Sequence, residues 1–227
     1  MSVWAVLAAA GRGERLGVDQ PKAFAPLAGR PMLAESLERL ESSAWIESIL
    51  VVAPPEWEEP VILLAEELGC GKVAASIAGG ETRAESVRIG VEEVGADASV
   101  ILVHDAARPL LTEEMVERVI SPLNEGWDGA VPGLPLVDTV KRVRDGAVEE
   151  TLPRAELVAV QTPQAFLARV LREAVADSVD ATDCSSLVEA KGGRVKAVPG
   201  DPRLLKVTTR EDLALVESWL NRGRRNG

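Results

Sequence analysis

The strand-like apolar run Val3-Trp4-Ala5-Val6-Leu7 breaks directly into Ala8-Ala9-Ala10-Gly11-Arg12-Gly13-Glu14-Arg15-Leu16-Gly17, and Pro21-Lys22 follows closely. A buried strand that delivers the chain into small residues and glycines lets backbone N–H groups approach phosphate oxygens, while Arg12, Arg15 and Lys22 supply positive charge. The segment therefore reads as a phosphate cradle for a nucleoside triphosphate, with a plain tight strand-to-helix turn as the alternative. Gly11, Gly13 and Gly17 give G-x-G-x-x-x-G, which is neither the dinucleotide fingerprint nor a P-loop, since no G-K-[ST] follows. The basic cluster runs against a formal net charge of −11, so the positive charge is local to this loop.

That acidic balance disfavours nucleic acid and anionic membrane as partners, because both need a basic face to displace counterions. A small anionic substrate stays open, since one site can be locally positive. With 227 residues, 46% of them apolar, the chain can bury a full core in one α/β domain over residues 1–227. The apolar start lacks a charged leader region and runs straight into the glycine loop, so it reads as a core strand and not as a signal peptide. No apolar run approaches the roughly 20 residues of a membrane span. Cys70 and Cys184 have no metal or redox spacing, and are read as reduced, buried thiols of a cytoplasmic protein.

Short apolar runs alternate with helical patterns, the mark of a mostly parallel sheet covered on both faces. Expected strands are 3–7, 49–53, 73–77, 99–104, 128–132 and 194–198. Expected helices are 32–41, 56–68, 83–94, 113–123, 166–176, 181–191 and 210–221, with Thr112 and Thr209 as caps. One stretch breaks this rhythm. Leu136 to Val143 alternates, Arg144-Asp145-Gly146 turns, and Ala147 to Leu152 returns, which is an Asp-Gly hairpin. Charged residues on both strands keep it out of the sheet's centre, so it is expected to project as an arm over about 136–152. A lone hairpin is marginal in water, which points to stabilisation against a second subunit.

The remaining chemistry falls at strand ends, where open α/β sheets place their ligands. Gly79-Gly80-Glu81-Thr82-Arg83-Ala84-Glu85-Ser86 opens a helix with two glycines, and reads either as a ligand loop or as a capped helix start. His104-Asp105-Ala106-Ala107-Arg108-Pro109 places a carboxylate beside an arginine. Mg²⁺ with an anionic substrate needs that pairing, because Mg²⁺ takes hard oxygen ligands and borrows some from phosphates; a local ion pair is the alternative. His104 is the only histidine, which excludes a His-rich metal site and favours a structural role. Thr182-Asp183 reads as a helix cap.

Taken in order, Leu7 to Gly11, Pro21-Lys22, Gly79-Gly80, Val103 to Pro109, Asp138 to Lys141, Gln161-Thr162-Pro163-Gln164, Thr182-Asp183 and Lys206-Val207-Thr208 resemble the 2-C-methyl-D-erythritol 4-phosphate cytidylyltransferase family of the non-mevalonate isoprenoid pathway. Ribitol-5-phosphate cytidylyltransferases share the framework but match less well at Ala9-Ala10-Gly11 and Ala106-Ala107-Arg108. Two departures are Cys184, where the family is usually acidic, and Leu204-Leu205, where Asn-Ile is common. The resemblance implies a three-layer Rossmann-like nucleotidyltransferase fold of the glycosyltransferase-A type. It puts the triphosphate of CTP on Ala9, Ala10, Gly11, Arg12 and Gly13, with Arg15 and Lys22 as catalytic charges. Cytosine would lie against Gly80, Glu81 and Ser86, and Asp105 would hold Mg²⁺ beside the nucleotide.

The same resemblance places methylerythritol phosphate near Asp105, Arg108, Thr139, Arg154, Thr162 and Lys206. Thr139, carried by the arm, and Arg108 would reach the partner's site across a homodimer. The implied reaction is in-line attack of the substrate's phosphate oxygen on the α-phosphorus of CTP, releasing pyrophosphate. That oxygen is already ionised near neutral pH, so no general base is needed. Other sugar-phosphate nucleotidyltransferases would keep the loop and Lys22 but change the polyol pocket. A dinucleotide oxidoreductase is disfavoured by the glycine spacing, and a non-catalytic nucleotide regulator by retention of Arg15, Lys22 and Asp105.

Overall fold

The computed structural model describes residues 1–11, 13, 16–17, 20–176 and 181–225. In chain order the elements are β1 (Val3–Ala8), β2 (Pro26–Leu27), β3 (Arg30–Pro31), α1 (Met32–Ser42), β4 (Ser48–Ala53), α2 (Glu58–Glu67), β5 (Val73–Ala78), α3 (Arg83–Glu93), β6 (Val100–Asp105) and α4 (Glu113–Asn124). They continue as β7 (Gly129–Pro135), β8 (Val140–Arg144), β9 (Ala147–Leu152), β10 (Val158–Val160), β11 (Gln164–Leu167), α5 (Ala168–Ala176), α6 (Cys184–Ala190), β12 (Val195–Pro199) and α7 (Arg210–Arg225). The main sheet has eight strands in the order β10-β7-β11-β6-β1-β4-β5, with β12 on β7. β6, β1, β4 and β5 run parallel, and β11 enters antiparallel between β6 and β7.

Period-2 alternation sorts the strand residues onto two helical layers. From β1, β4 and β6, the side chains of Leu7, Val51 and Leu102 join Leu33, Leu37 and Leu40 of α1, Val61 of α2 and Val119 of α4. Their neighbours Val6, Val52 and Val103 point the other way, onto Val87 and Val91 of α3, Leu171 of α5 and Val188 of α6. This is a three-layer, mostly parallel, Rossmann-like arrangement, as the alternating pattern requires. Each buried leucine or valine of these layers contributes about 1.5–3 kcal/mol of apolar transfer. A third cluster, with Leu16, Leu27, Met32 and Leu110 against Val216 and Leu220 of α7, clamps the C-terminal helix over the loops beside β1 and β6.

Phe166 corrects the sequence reading. It was expected to open a helix, yet it lies in β11, fully buried and paired with Ile101 and Gly129. Ala165-Phe166-Leu167 runs into α5 without a breaker, so local periodicity cannot separate strand from helix, and pairing on both edges decides. The tiny β2–β3 hairpin and β10 also lacked a local signal, being two and three residues long.

The Asp-Gly hairpin is present as a separate two-stranded sheet, β8 with β9, running Val140↔Leu152 to Arg144↔Ala147. Asp145 (φ 49°) and Gly146 (φ 80°) both take the left-handed conformation that a two-residue type I′ turn demands. Val143 and Val148 stand exposed on it, as do Val137 before it and Val158 and Val160 on β10.

Candidate active site

The carboxyl ends of β1, β4, β5 and β6 are knitted together beyond the strand ladders. Ala9 N–H donates to the Val52 carbonyl (2.9 Å), Gly79 N–H to Ala53 (2.8 Å) and Ala106 N–H to Ala8 (3.0 Å). Three loops are thereby fixed around a cavity of about 710 Å³ lined by Ala9, Ala10, Gly11, Lys22, Gly80, Glu81, Ser86, Asp105 and Lys206. Gly13 sits at φ +74°, and a Cβ there would stand 2.6 Å from Lys22 Cβ, so glycine lets the loop fold back on the lysine. Lys22 N–H donates to the Gly11 carbonyl, closing the fold-back. Arg12 and Arg15 lie outside the described residues.

Across the cavity the α3 entrance is built from its own side chains. Thr82 Oγ1 caps the helix by accepting from Glu85 N–H (3.1 Å), and the Glu85 carboxylate accepts from Glu81 N–H (2.8 Å). Ser86, almost fully buried, accepts from Gly80 N–H (3.1 Å) and gives its proton to the Thr82 carbonyl (2.8 Å). A Cβ on Gly79 would come within 2.5 Å of Ala10 Cβ and 2.8 Å of Ser86 Oγ, so this glycine lets the two loops meet. The segment is therefore a capped helix start, as one of its two sequence readings has it, and it lies on the cavity wall.

Asp105, at the end of β6, is the charged centre. Its Oδ1 accepts from Arg83 Nε at 2.9 Å and pairs with Nη2 at 2.9 Å, while Oδ2 accepts from Lys206 Nζ at 2.6 Å. Burial would push this carboxyl up, but the charges of Arg83 and Lys206 outweigh it and hold the group well below the usual carboxylate range. The ion-pair reading of Asp105 is what the structure shows, with the carboxylate at the wall of the cavity.

A second cavity, of about 490 Å³, adjoins the first and is lined by Arg83, Asp105, Arg108, Thr162, Thr182, Asp183 and Lys206 among others. Arg108, expected with Thr139 to reach a partner's site, instead lines this cavity of its own chain, where it donates to the Leu204 carbonyl (2.6 Å). Because a main-chain oxygen makes that contact, the Leu204-Leu205 departure costs no hydrogen bond here. Thr162 Oγ1 accepts from Asp105 N–H (3.0 Å) and lies 3.3 Å from His104 Nδ1. His104 Nε2 lies 3.1 Å from the Arg108 carbonyl, which can only accept, so the proton sits on Nε2 and Nδ1 takes the Thr162 proton. Burial pushes His104 down to about 4, leaving it neutral and structural, as its isolation in the sequence suggests. Asp183 caps α6, as expected, by accepting from Ser186 N–H (3.2 Å). Cys184 beside it is buried, which pushes its thiol up to about 12, and it interacts with Arg83.

Thr139 and Arg154 are not brought to either cavity of their own chain. Thr139 precedes β8 at the root of the arm, and Arg154, in a short 3-10 turn, donates to the Val137 carbonyl there. Conversely, sequence reasoning gave no role to Arg83, which lines both cavities. A signal existed: a cation in a helix's first turn faces the positive end of the dipole and needs a carboxylate partner. Trp57 and Pro54-Pro55 also line the first cavity, directly after β4, where only the strand-end rule could have pointed.

A family model described as 2-C-methyl-D-erythritol 4-phosphate cytidylyltransferase matches residues 3–222. A protein of that name from Nocardia farcinica is 45% identical over 97% of this chain and 95% of its own length. One from Frankia casuarinae is 47% identical over 97% of this chain and 82% of its length. Among solved structures, the cytidylyltransferase of that name from Thermus thermophilus superposes with TM-score 0.76 at 34% identity, covering 95% and 98% of the two chains. The 4-diphosphocytidyl-2C-methyl-D-erythritol synthase from Anaerococcus prevotii gives 0.84 at 26% identity over 97% and 98%. Loop, charged centre and fold agree with a match that runs almost end to end, and the chain belongs to the 2-C-methyl-D-erythritol 4-phosphate cytidylyltransferase family.

Proposed function

We propose that this chain transfers CMP from CTP to 2-C-methyl-D-erythritol 4-phosphate, giving 4-diphosphocytidyl-2-C-methyl-D-erythritol and pyrophosphate. The observation that carries the reading is the junction of the two cavities, where Asp105, Arg83 and Lys206 line both. Two mutually repelling anions have to meet there, and the site supplies two cations around one carboxylate. In the first cavity the Ala9–Gly13 backbone cradles the triphosphate, Lys22 and Arg15 neutralise it, and Gly80 and Glu81 face the cytosine. Ser86 holds that loop in shape through Gly80 and Thr82.

In the second cavity Lys206 and Arg108 receive the acceptor's phosphate, with Thr162 beside it. That phosphate, with a second pKa of about 6, is mostly dianionic at neutral pH and attacks without a base. Its oxygen forms the new bond to the α-phosphorus as the bond to the β-phosphate oxygen breaks, and pyrophosphate leaves. Holding the reactants in line can supply roughly 7–11 kcal/mol of the barrier. Charge neutralisation at the α-phosphorus by Lys22 and Arg15 supplies the rest.

Asp105, ionised and on the nucleotide cavity, would have an oxygen for a divalent cation such as Mg²⁺ only once Lys206 leaves Oδ2, since Arg83 holds Oδ1. The described residues hold no cluster of three or more potential ligands, so an ion bound here would take one ligand from the protein and the others from phosphate and water. It would supply further neutralisation of the triphosphate. The active unit is a homodimer, in which the arm carries Thr139 to the acceptor cavity of a second copy; exposed Val143 and Val148 give it apolar surface to cover. The buried thiols fit a reducing cytoplasm, and no described helix is long and apolar enough to cross a membrane.

Pyrophosphate release measured over the four nucleoside triphosphates and a panel of polyol phosphates tests the reading. Release with CTP and methylerythritol phosphate is expected to dominate. Preference for ribitol 5-phosphate, or no release with any pair, would overturn it.

A further inference from the structure

We propose that Arg83 is a positioning residue that keeps Asp105 compensated, so that Lys206 can leave it for the acceptor's phosphate. The inference rests on the acceptor reading of the second cavity. Asp105 carries only 7% side-chain exposure and is held by two cations on different oxygens, Arg83 on Oδ1 and Lys206 on Oδ2. The two grips differ in kind. Arg83 brings two guanidinium nitrogens to one oxygen and is anchored on the first turn of α3, behind the Thr82 cap and the Gly79–Ser86 loop. Lys206 brings a single ammonium on a flexible stem, comes from the loop between β12 and α7, and is the more exposed of the pair. A lysine ammonium can change partners by rotating its stem, whereas a guanidinium docked through two nitrogens is committed to its geometry.

Charge decides what such an exchange requires. If Lys206 alone neutralised Asp105, moving it to an incoming phosphate would strand a buried carboxylate beside a dianion, and the movement would be opposed. With Arg83 in place the three side chains carry a net positive charge, and Asp105 stays paired when Lys206 leaves. The exchange then trades one ammonium–carboxylate contact for an ammonium–phosphate contact. Arg83 acts here through Asp105 and Lys206, not on the substrate.

The test varies methylerythritol phosphate at saturating CTP for wild type, Arg83→Gln, Arg83→Lys, Asp105→Asn and Arg83→Gln with Asp105→Asn, and measures CTP affinity without acceptor by calorimetry. Arg83→Gln is expected to raise the acceptor KM about tenfold or more, in keeping with loss of one member of a buried charge group. CTP affinity should move by less than about threefold, and Arg83→Lys should recover most of the loss. Adding Arg83→Gln to Asp105→Asn should cost nothing further, because the charge that Arg83 answers is gone. The doubly neutral variant also keeps the test open if Arg83→Gln alone folds poorly. An unchanged acceptor KM, an equal loss of CTP affinity, or additive losses in the double variant would each overturn the proposal. A wild type that does not turn over this acceptor would instead sink the functional reading.

Discussion

The nucleotide cavity and the arm solve different problems with the same chain. Around the cavity, backbone fixed by parallel strands presents small residues and a few charges, and loop-to-loop hydrogen bonds from Ala9, Gly79 and Ala106 close the rim. On the arm, two strands pair only with each other, and their ion pairs, Arg142–Glu150 at 3.1 Å and Arg144–Glu149 at 3.3 Å, are exposed. Exposed pairs of this sort contribute about 0–1 kcal/mol, too little to make a lone hairpin rigid. The contrast teaches that the described residues lining the cavities are fixed by the chain's own sheet, while Thr139 and Arg154 stand on a hairpin root and a turn that line neither cavity.

The sharpest way to break this picture is at the cradle. Lys22→Ala should lower turnover by about 10²–10³ with little change in unfolding midpoint, since it removes charge from the transition state and not from the core. Lys22→Arg should also be impaired, because a planar fork replaces a point charge. A well-folded Lys22→Ala enzyme with wild-type turnover would mean that the loop is only a turn.

His104 sharpens the comparison on the side of stability, because nothing on the arm has its burial. Its folded pKa, about 4, lies below the unfolded value of 6.5, so the unfolded chain binds the extra proton first. The stability His104 contributes is therefore complete above pH 6.5 and is lost as pH falls towards 4, by at most about 3 kcal/mol. Denaturant titrations at several pH values should show that decline, and His104→Gln should flatten it. An equal slope in the variant would assign the acid sensitivity elsewhere.

Asp105→Asn is expected to raise the Mg²⁺ needed for half-maximal activity by about tenfold, because a neutral amide is the poorer ligand for a hard cation. An unchanged Mg²⁺ titration would leave Asp105 as an ion-pair partner only.

What could be read from the sequence follows the same divide between local and long-range causes. The strand before Gly11, the α4 cap at Thr112 and the Asp145-Gly146 turn are local events, each written within a few adjacent residues, and all stand where expected. The partners of Asp105 lie 22 and 101 residues away, so the place of Arg83 at a helix start could signal the need for a carboxylate but not which one. Lys206 entered through family resemblance, and Arg83 not at all. β11 was lost for the same reason, since its antiparallel place between β6 and β7 is a tertiary fact. The hydroxyl of Thr162, assigned by resemblance to the acceptor, proves to be engaged with Asp105 N–H and His104 as well.

The arm itself is tested by complementation, the smallest effect in number and the most specific. A Thr139→Ala chain retains its own Lys22, and a Lys22→Ala chain retains its own Thr139; each homodimer should be nearly inactive if both residues serve every site. In a mixed dimer, the cavity of the Thr139→Ala chain keeps Lys22 and receives an intact Thr139 from its partner, while the other cavity has lost both. Random exchange makes about half of the dimers mixed, each with one restored site, so activity should climb towards about a quarter of wild type. If Thr139 instead served its own chain's cavity, the same mixture would contain no site with both residues and would stay inactive. Mass measurement that verifies exchange makes the two outcomes distinguishable, and a chain that is monomeric at assay concentration would remove the arm from the site altogether.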